Sequence, residues 1–245
     1  MNPVSSAIQR YYRSSRSAVF SYLVSLPLLI LYESLIYLTE ANPSHYVRIE
    51  ADVWIKSLLS VLGYNSIALT FALALLIGVF LFIKERKKEI HLQFSHFVLL
   101  VIESLVYAVV LGLLISRLTS VLTTNAALQG NSQVQLSPIQ RFALSLGAGL
   151  YEELVFRLVL VNVLLYIFRL LKFSTFVRYF IAVVLAAFLF SLAHYTGPMG
   201  DPFTIYSFLF RFFFGLALTL IYVTRGFGVA AWTHALYDTL LIFIV

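Results

Sequence analysis

Seven apolar runs, each near the ~20 residues that carry a helix across a hydrocarbon core, dominate the 245-residue chain. They fall at about residues 18–39, 66–83, 96–116, 142–168, 179–195, 204–222 and 228–245. Lipid offers no water to pair with free backbone N–H and C=O groups, so every run is expected to be helical. The expected fold is therefore all-α, a polytopic transmembrane helical bundle of about seven spans, eight at most. Charged residues make up 11% of the chain, against about a quarter in soluble domains. That leaves no room for a separate soluble domain. Residues 1–135 read as N-terminal transmembrane helices without a recognisable motif, and 136–245 as the helical core that carries the polar motifs. There is no cysteine, which excludes disulfides, thiolate nucleophiles and Cys-based metal sites.

The net charge of +6 lies mostly in short connections, as a topology signal does, so nucleic acid is not an expected partner. One set of connections holds Arg10, Arg13, Arg16, Lys84, Arg86, Lys87, Lys88, Arg169, Lys172, Arg178 and Arg225. The opposite set holds Arg48, Lys56, Arg117 and Arg141. The imbalance places the N-terminus in the cytoplasm, and an odd span count places the C-terminus outside. The basic start, MNPVSSAIQRYYRSSRS, precedes a run without an A-x-A cleavage site and reads as the lead into a first span rather than a removed signal. The expected location is an integral, multi-pass position, in the cell (plasma) membrane if the source is prokaryotic.

Ionisable side chains inside spans are costly and are functional candidates by default. Here they are Glu33, Glu103, Glu152, Glu153, Arg157, His194, Arg211, His234 and Asp238. In GLYEELVFRLVL, Glu153 and Arg157 stand at i, i+4 and face the same way, whereas Glu152 lies about 100° around the helix. Two adjacent carboxylates in low dielectric do not both ionise cheaply, which suits one of them to acid–base work. A purely structural cluster of both acids with Arg157 remains the bland alternative. In FSLAHYTG, Phe190 and His194 stand at i, i+4; alone, a span-end histidine is more often an interfacial residue. In WTHALYDTLL, His234 and Asp238 share a face at i, i+4, and could equally be a hydrogen-bonded pair between helices. Together, three acids and two histidines in three late spans can activate water and stabilise an oxyanion. The same side chains also approach a zinc-ligand set. Gly147 and Gly149 would let a neighbouring helix come close to the acids. Glu33 and Glu103 are left either lining a substrate cavity or pairing with Arg211.

Three motifs in this order, Glu152-Glu153-x-x-x-Arg157, Phe190-x-x-x-His194 and His234-x-x-x-Asp238, resemble the CAAX protease and bacteriocin-processing (CPBP) family, which includes the Ras-converting CAAX prenyl endopeptidases. The resemblance covers about residues 140–245. It implies a glutamate-dependent intramembrane endopeptidase with no required metal or other cofactor. Glu152 and His194 would then activate water, and His234 with Asp238 would stabilise the oxyanion. Glu153 and Arg157 would hold the helix and tune the charge on Glu152. CAAX-cleaving members usually carry Asn where this chain has Asp238. An ionised Asp cannot donate as an amide does, so Asp238 either is protonated or mainly orients His234.

The implied partner is a membrane-tethered or lipidated protein or peptide tail reached from the lipid phase. At ~1.5 Å rise per residue, Glu152 and His194 lie roughly 25 Å from the cytoplasmic ends of their helices. A site opening outward is therefore expected. Gly-x-Ser-Gly, Gly-x-Gly-Asp and His-Glu-x-x-His are absent, so serine, presenilin-type and common zinc protease signatures are not met; zinc remains a minor alternative by ligand type. Two other classes compete: a proton-coupled transporter relaying protons through Glu33, Glu103, Glu152 and the histidines, and a non-catalytic immunity or scaffold protein.

Overall fold

The computed structural model describes residues 3–39, 47–87, 92–123, 136–197 and 200–244. Among these residues the chain is helical, with no strand. The helices are α1 (Pro3–Ser15), α2 (Ala18–Thr39), α3 (Glu50–Ser60), α4 (Ser66–Glu85), α5 (Phe94–Leu122), α6 (Pro138–Gly147), α7 (Asn162–Leu170), α8 (Thr175–Ala193), α9 (Ile205–Arg225) and α10 (Phe227–Ile244). Between α6 and α7 the backbone widens into two π-helical segments, Ala148–Glu152 and Leu154–Val161. The dihedrals at the junctions stay right-handed helical, so 138–170 is one continuous rod.

Among the described residues five helices, α2, α4, α5, α8 and α9, are long and apolar enough to cross a membrane. They coincide with five of the expected spans. The run expected over 142–168 is the π-containing rod, and the run at 228–245 is α10. The outer surface is apolar: Leu75, Leu76, Phe80, Phe82 and Ile83 on α4 all stand exposed. In water so large an apolar face would be a liability; in lipid it is the expected exterior. The protein is an integral membrane protein.

Local chemistry explains how the polar-bearing helices are placed. Ser137 and Gln140 form a reciprocal capping box, with Pro138 in the first turn, so the rod starts where its first orphan N–H groups are satisfied. Pro27 interrupts α2 and has no N–H to give. One turn earlier, the Val24 carbonyl accepts Trp232 Nε1–H from α10 at 2.7 Å, which stitches α10 to α2. Glu85 reaches the N-terminus of the same helix and accepts Val19 N–H at 3.0 Å, a carboxylate where the helix dipole favours one. Gly226, at φ 97°, ends α9 and starts α10 without a loop. Only glycine takes that backbone cheaply, and it folds α10 straight back along α9. The core lies where α2, α6, the first π segment and α10 meet, around Leu28, Tyr32, Leu146, Leu150 and Ala235.

Candidate active site

Glu152 closes the first π segment and Glu153 is the residue between the two. π turns are rare and recur at functional sites because they redirect side chains that an α turn would place elsewhere. Two contacts support the wide turn. Asn162 Nδ2 donates to the Leu158 carbonyl and to Tyr222 Oη, both at 2.7 Å. On the other side, Gly149 lies against α10 so closely that a Cβ would stand 2.5 Å from Ala231 O and 2.6 Å from Ala235 N. The absent side chain lets α10 bring His234 up to the two acids.

Glu153 is fully buried. Its Oε1 lies 2.9 Å from Arg157 Nη1 and accepts from His234 Nδ1 at 2.7 Å. No N–H of Arg157 is aligned for a hydrogen bond; the guanidinium instead sits 4.2 Å above the centre of the Phe190 ring, a cation–π contact. Phe190 also packs edge-on to His194 and His234, and Phe214 packs edge-on to His234. The expected Glu153–Arg157 pair is thus present, with His234 as a third member.

Glu152 points the other way. Its Oε2 is 3.8 Å from His194 Nε2 and 4.0 Å from His234 Nε2. His194 caps α8, and its Nδ1 bonds the Phe190 carbonyl at 2.8 Å. A carbonyl only accepts, so Nδ1 carries the hydrogen and the neutral ring leaves Nε2 as an acceptor facing Glu152. Asp238 Oδ2 is 3.4 Å from His234 Nε2. The side chains of Glu152, His194 and Asp238 are 14%, 25% and 28% exposed, so this half of the cluster is reachable while Glu153 and Arg157 are sealed. All seven residues singled out in the late spans therefore meet in one place. Among the described residues, no three His, Asp or Glu side chains form a metal-ligand group.

The mouth of the cluster holds residues that the motif reading passed over. The Asp201 N–H closes the loop after α8 onto the His194 carbonyl at 2.9 Å, and the Asp201 side chain pairs with Arg211. Arg211 also donates to Ser207 Oγ at 2.9 Å. Glu50, the first residue of α3, lies against Gly197 of the same loop. Burial, with the Glu152 and Asp201 carboxylates nearby, pushes the Glu50 carboxyl above its ordinary range.

Glu33 and Glu103 do not pair with Arg211. Glu33 Oε1 accepts from Lys56 Nζ at 2.5 Å and Tyr151 Oη at 2.7 Å, and its Oε2 from Arg48 at 3.2 Å. Asp52 meets Lys56 at 2.7 Å, Arg48 at 2.9 Å and Tyr32 at 2.8 Å. Glu103 takes Arg225 in a bidentate pair at 2.6 and 2.7 Å, together with Tyr11. Arg48, Asp52 and Lys56 repeat at i, i+4; that spacing, in RIEADVWIK, was the available sign of a charged helix face.

An all-helical membrane bundle with a semi-open cluster of acids and histidines defines the class: an integral membrane protein built around an intramembrane polar site. Residues 134–240 match the family model described as Type II CAAX prenyl endopeptidase Rce1-like. No curated protein and no solved structure matches the chain. The family match supports, in general terms, a membrane endopeptidase of the CAAX type.

Proposed function

We propose that this chain is an intramembrane glutamic endopeptidase. It hydrolyses a peptide bond in a membrane-tethered protein, lipidated or bearing a C-terminal tail, which enters from the lipid phase. The observation that carries this reading is the meeting of Glu152, His194 and His234, from three different helices, across 3.8 and 4.0 Å. Those separations exceed a hydrogen bond and suit one shared water. Glu152 takes a proton from that water as its oxygen attacks the carbonyl carbon. His194 Nε2 accepts the water's second O–H and aims the attack. The carbonyl oxygen becomes an oxyanion beside His234, whose Nδ1–H is committed to Glu153. Nε2–H of the imidazolium donates to the oxyanion, with Glu153 and Asp238 balancing its charge. The C–N bond then breaks, and the proton on Glu152 passes to the leaving amine. Asp238 acts here by orienting and balancing His234, which needs no amide. Arg157 holds Glu153, and Phe190 holds Arg157 and both rings.

Connection charges support a cytoplasmic N-terminus, and the mouth at Glu50 and Asp201 would then open outward. Two of the four charges on the sparse side, Arg48 and Lys56, are buried in ion pairs, which deepens the imbalance.

Purified protein in detergent would be given a quenched peptide library that includes prenylated and C-terminal-tail peptides. Wild type, Glu152→Ala and His194→Ala would each be run with and without a strong zinc chelator. Cleavage is expected from wild type, resistant to chelator, and reduced by about 10²–10⁴-fold in each variant. Chelator-sensitive cleavage would move the same residues to a metal site. A folded wild type that cleaves nothing but carries a proton flux would replace the reading with a transporter.

A further inference from the structure

Glu152 makes no hydrogen bond among the described residues, and its buried Oε2 has no partner within hydrogen-bond distance. A carboxylate that must meet water at a fixed angle is therefore not aimed by its own contacts. Its direction is inherited from the backbone on either side. On the C-terminal side, Glu153 is held by Arg157 and His234. On the N-terminal side stands Tyr151, which is buried and whose hydroxyl donates to Glu33 on α2 at 2.7 Å.

Glu33 is one corner of a closed assembly. Lys56 bridges Glu33 and Asp52 at 2.5 and 2.7 Å, and Arg48 bridges the same two acids at 3.2 and 2.9 Å. Tyr32 bonds Asp52 at 2.8 Å and packs edge-on to Tyr151. Lys56 lies over both tyrosine rings. Two acids and two bases cancel, and all four carboxylate oxygens are met. The assembly ties α2, the lead into α3 and α3 itself to a single residue of the π segment, the one before Glu152.

We propose that Tyr151 is a positioning residue: through its bond to Glu33, the buried ion assembly of α2 and α3 fixes the π turn that aims Glu152. This rests on Glu152 being the water-activating group. A rigid supporting shell is what such a group needs, because misplacement by about 1 Å costs up to ~10²-fold in rate. It also gives α3 a purpose. At 11 residues the helix is too short to span a bilayer, yet it carries two of the assembly's four charges, Asp52 and Lys56, with a third, Arg48, two residues before it.

Tyr151→Phe, in the full chain, removes one hydroxyl and keeps the ring. Its kcat is expected to fall between about tenfold and a hundredfold, with KM and thermal midpoint held. The second readout does not need turnover: modification of Glu152 by an apolar carbodiimide, followed against pH by peptide mass spectrometry. The groups facing Glu152 are His194 on α8, His234 and Asp238 on α10, Arg211 on α9, Glu50 on α3, and Glu153 and Arg157 on its own rod. None is altered in Tyr151→Phe, so a moved midpoint reports a moved Glu152. The shift is expected in Tyr151→Phe, smaller in Tyr32→Phe, and absent in Tyr11→Phe, which alters the other ion cluster. An unmoved profile in both Tyr151→Phe and Tyr32→Phe overturns the proposal, as does a kcat loss matched by Tyr11→Phe at equal destabilisation. If wild type cleaves no peptide, the protease reading fails while the labelling profile still decides the positioning.

Discussion

Two buried charge clusters lie side by side in this bundle, joined by the peptide bond between Tyr151 and Glu152. In the α2–α3 cluster, every oxygen of Glu33 and Asp52 is met within 3.2 Å by a cation or hydroxyl. In the late-helix cluster, Glu152 Oε2 stands 3.8 Å from its nearest ion-pair partner, His194 Nε2, and Glu153 Oε2 has no hydrogen-bond partner. Both clusters bear the cost of taking charge out of water. The first recovers it through mutual pairing, as a structural element does. The second leaves capacity unspent at the place where the His194 and Asp238 side chains are partly exposed. The difference between a charge that holds a fold and one that awaits a reactant is readable in saturation rather than in burial.

The sharpest test of that contrast sets Glu33→Gln against Glu152→Gln. Removing the Glu33 anion leaves Arg48 and Lys56 with buried excess charge, and about 3–5 kcal/mol of stability should go. Glu152→Gln removes an unpaired acid and should leave the unfolding midpoint unchanged or higher. Unfolding of both variants in the same detergent decides it; equal losses would erase the distinction. A middle-sized effect is expected at Gly149→Ala. The added methyl would press on α10 backbone at Ala231 and Ala235, costing about 1–3 kcal/mol. By pushing His234 off Glu153 it should also depress peptide cleavage, whereas Gly63→Ala, where nothing lies within 4 Å, tests only the strain of a positive φ. The smallest effect concerns Glu50. Its carboxyl is raised in the folded protein, so its contribution to stability is present while it is protonated and is lost as pH rises through that raised value. Glu50→Gln should flatten the stability profile just above the ordinary carboxylate range, as measured by thermal denaturation against pH.

The helices and the pairs within each motif were readable in the chain, because apolar run length and i, i+4 spacing are local signals; that the three motifs share one site was implied by the family resemblance. Glu153–Arg157 and His234–Asp238 are such local pairs. The partners of Glu33 and Glu103 were not readable: Tyr151 is 118 residues from Glu33 and Arg225 is 122 from Glu103, and spacing does not encode contacts of that reach. Arg48 and Lys56 looked like loop charges because α3 is too short and too polar to register as a span. The π turns were invisible for another reason. Sequence periodicity assumes 3.6 residues per turn, and the surplus residue shows only once Gly149 has met α10.

A π turn is a helix that holds one residue more than its α counterpart. The angular setting of Glu152 toward the histidines is therefore a matter of phase between two halves of one rod. A single-residue insertion between Gly147 and Tyr151, taken up in α geometry, would swing one half about 100° against the other. Such a chain would keep nearly its whole composition and every named side chain of the site, yet its acids would look into lipid. For this architecture, the length of the rod is as much a determinant of chemistry as the identity of the residues upon it.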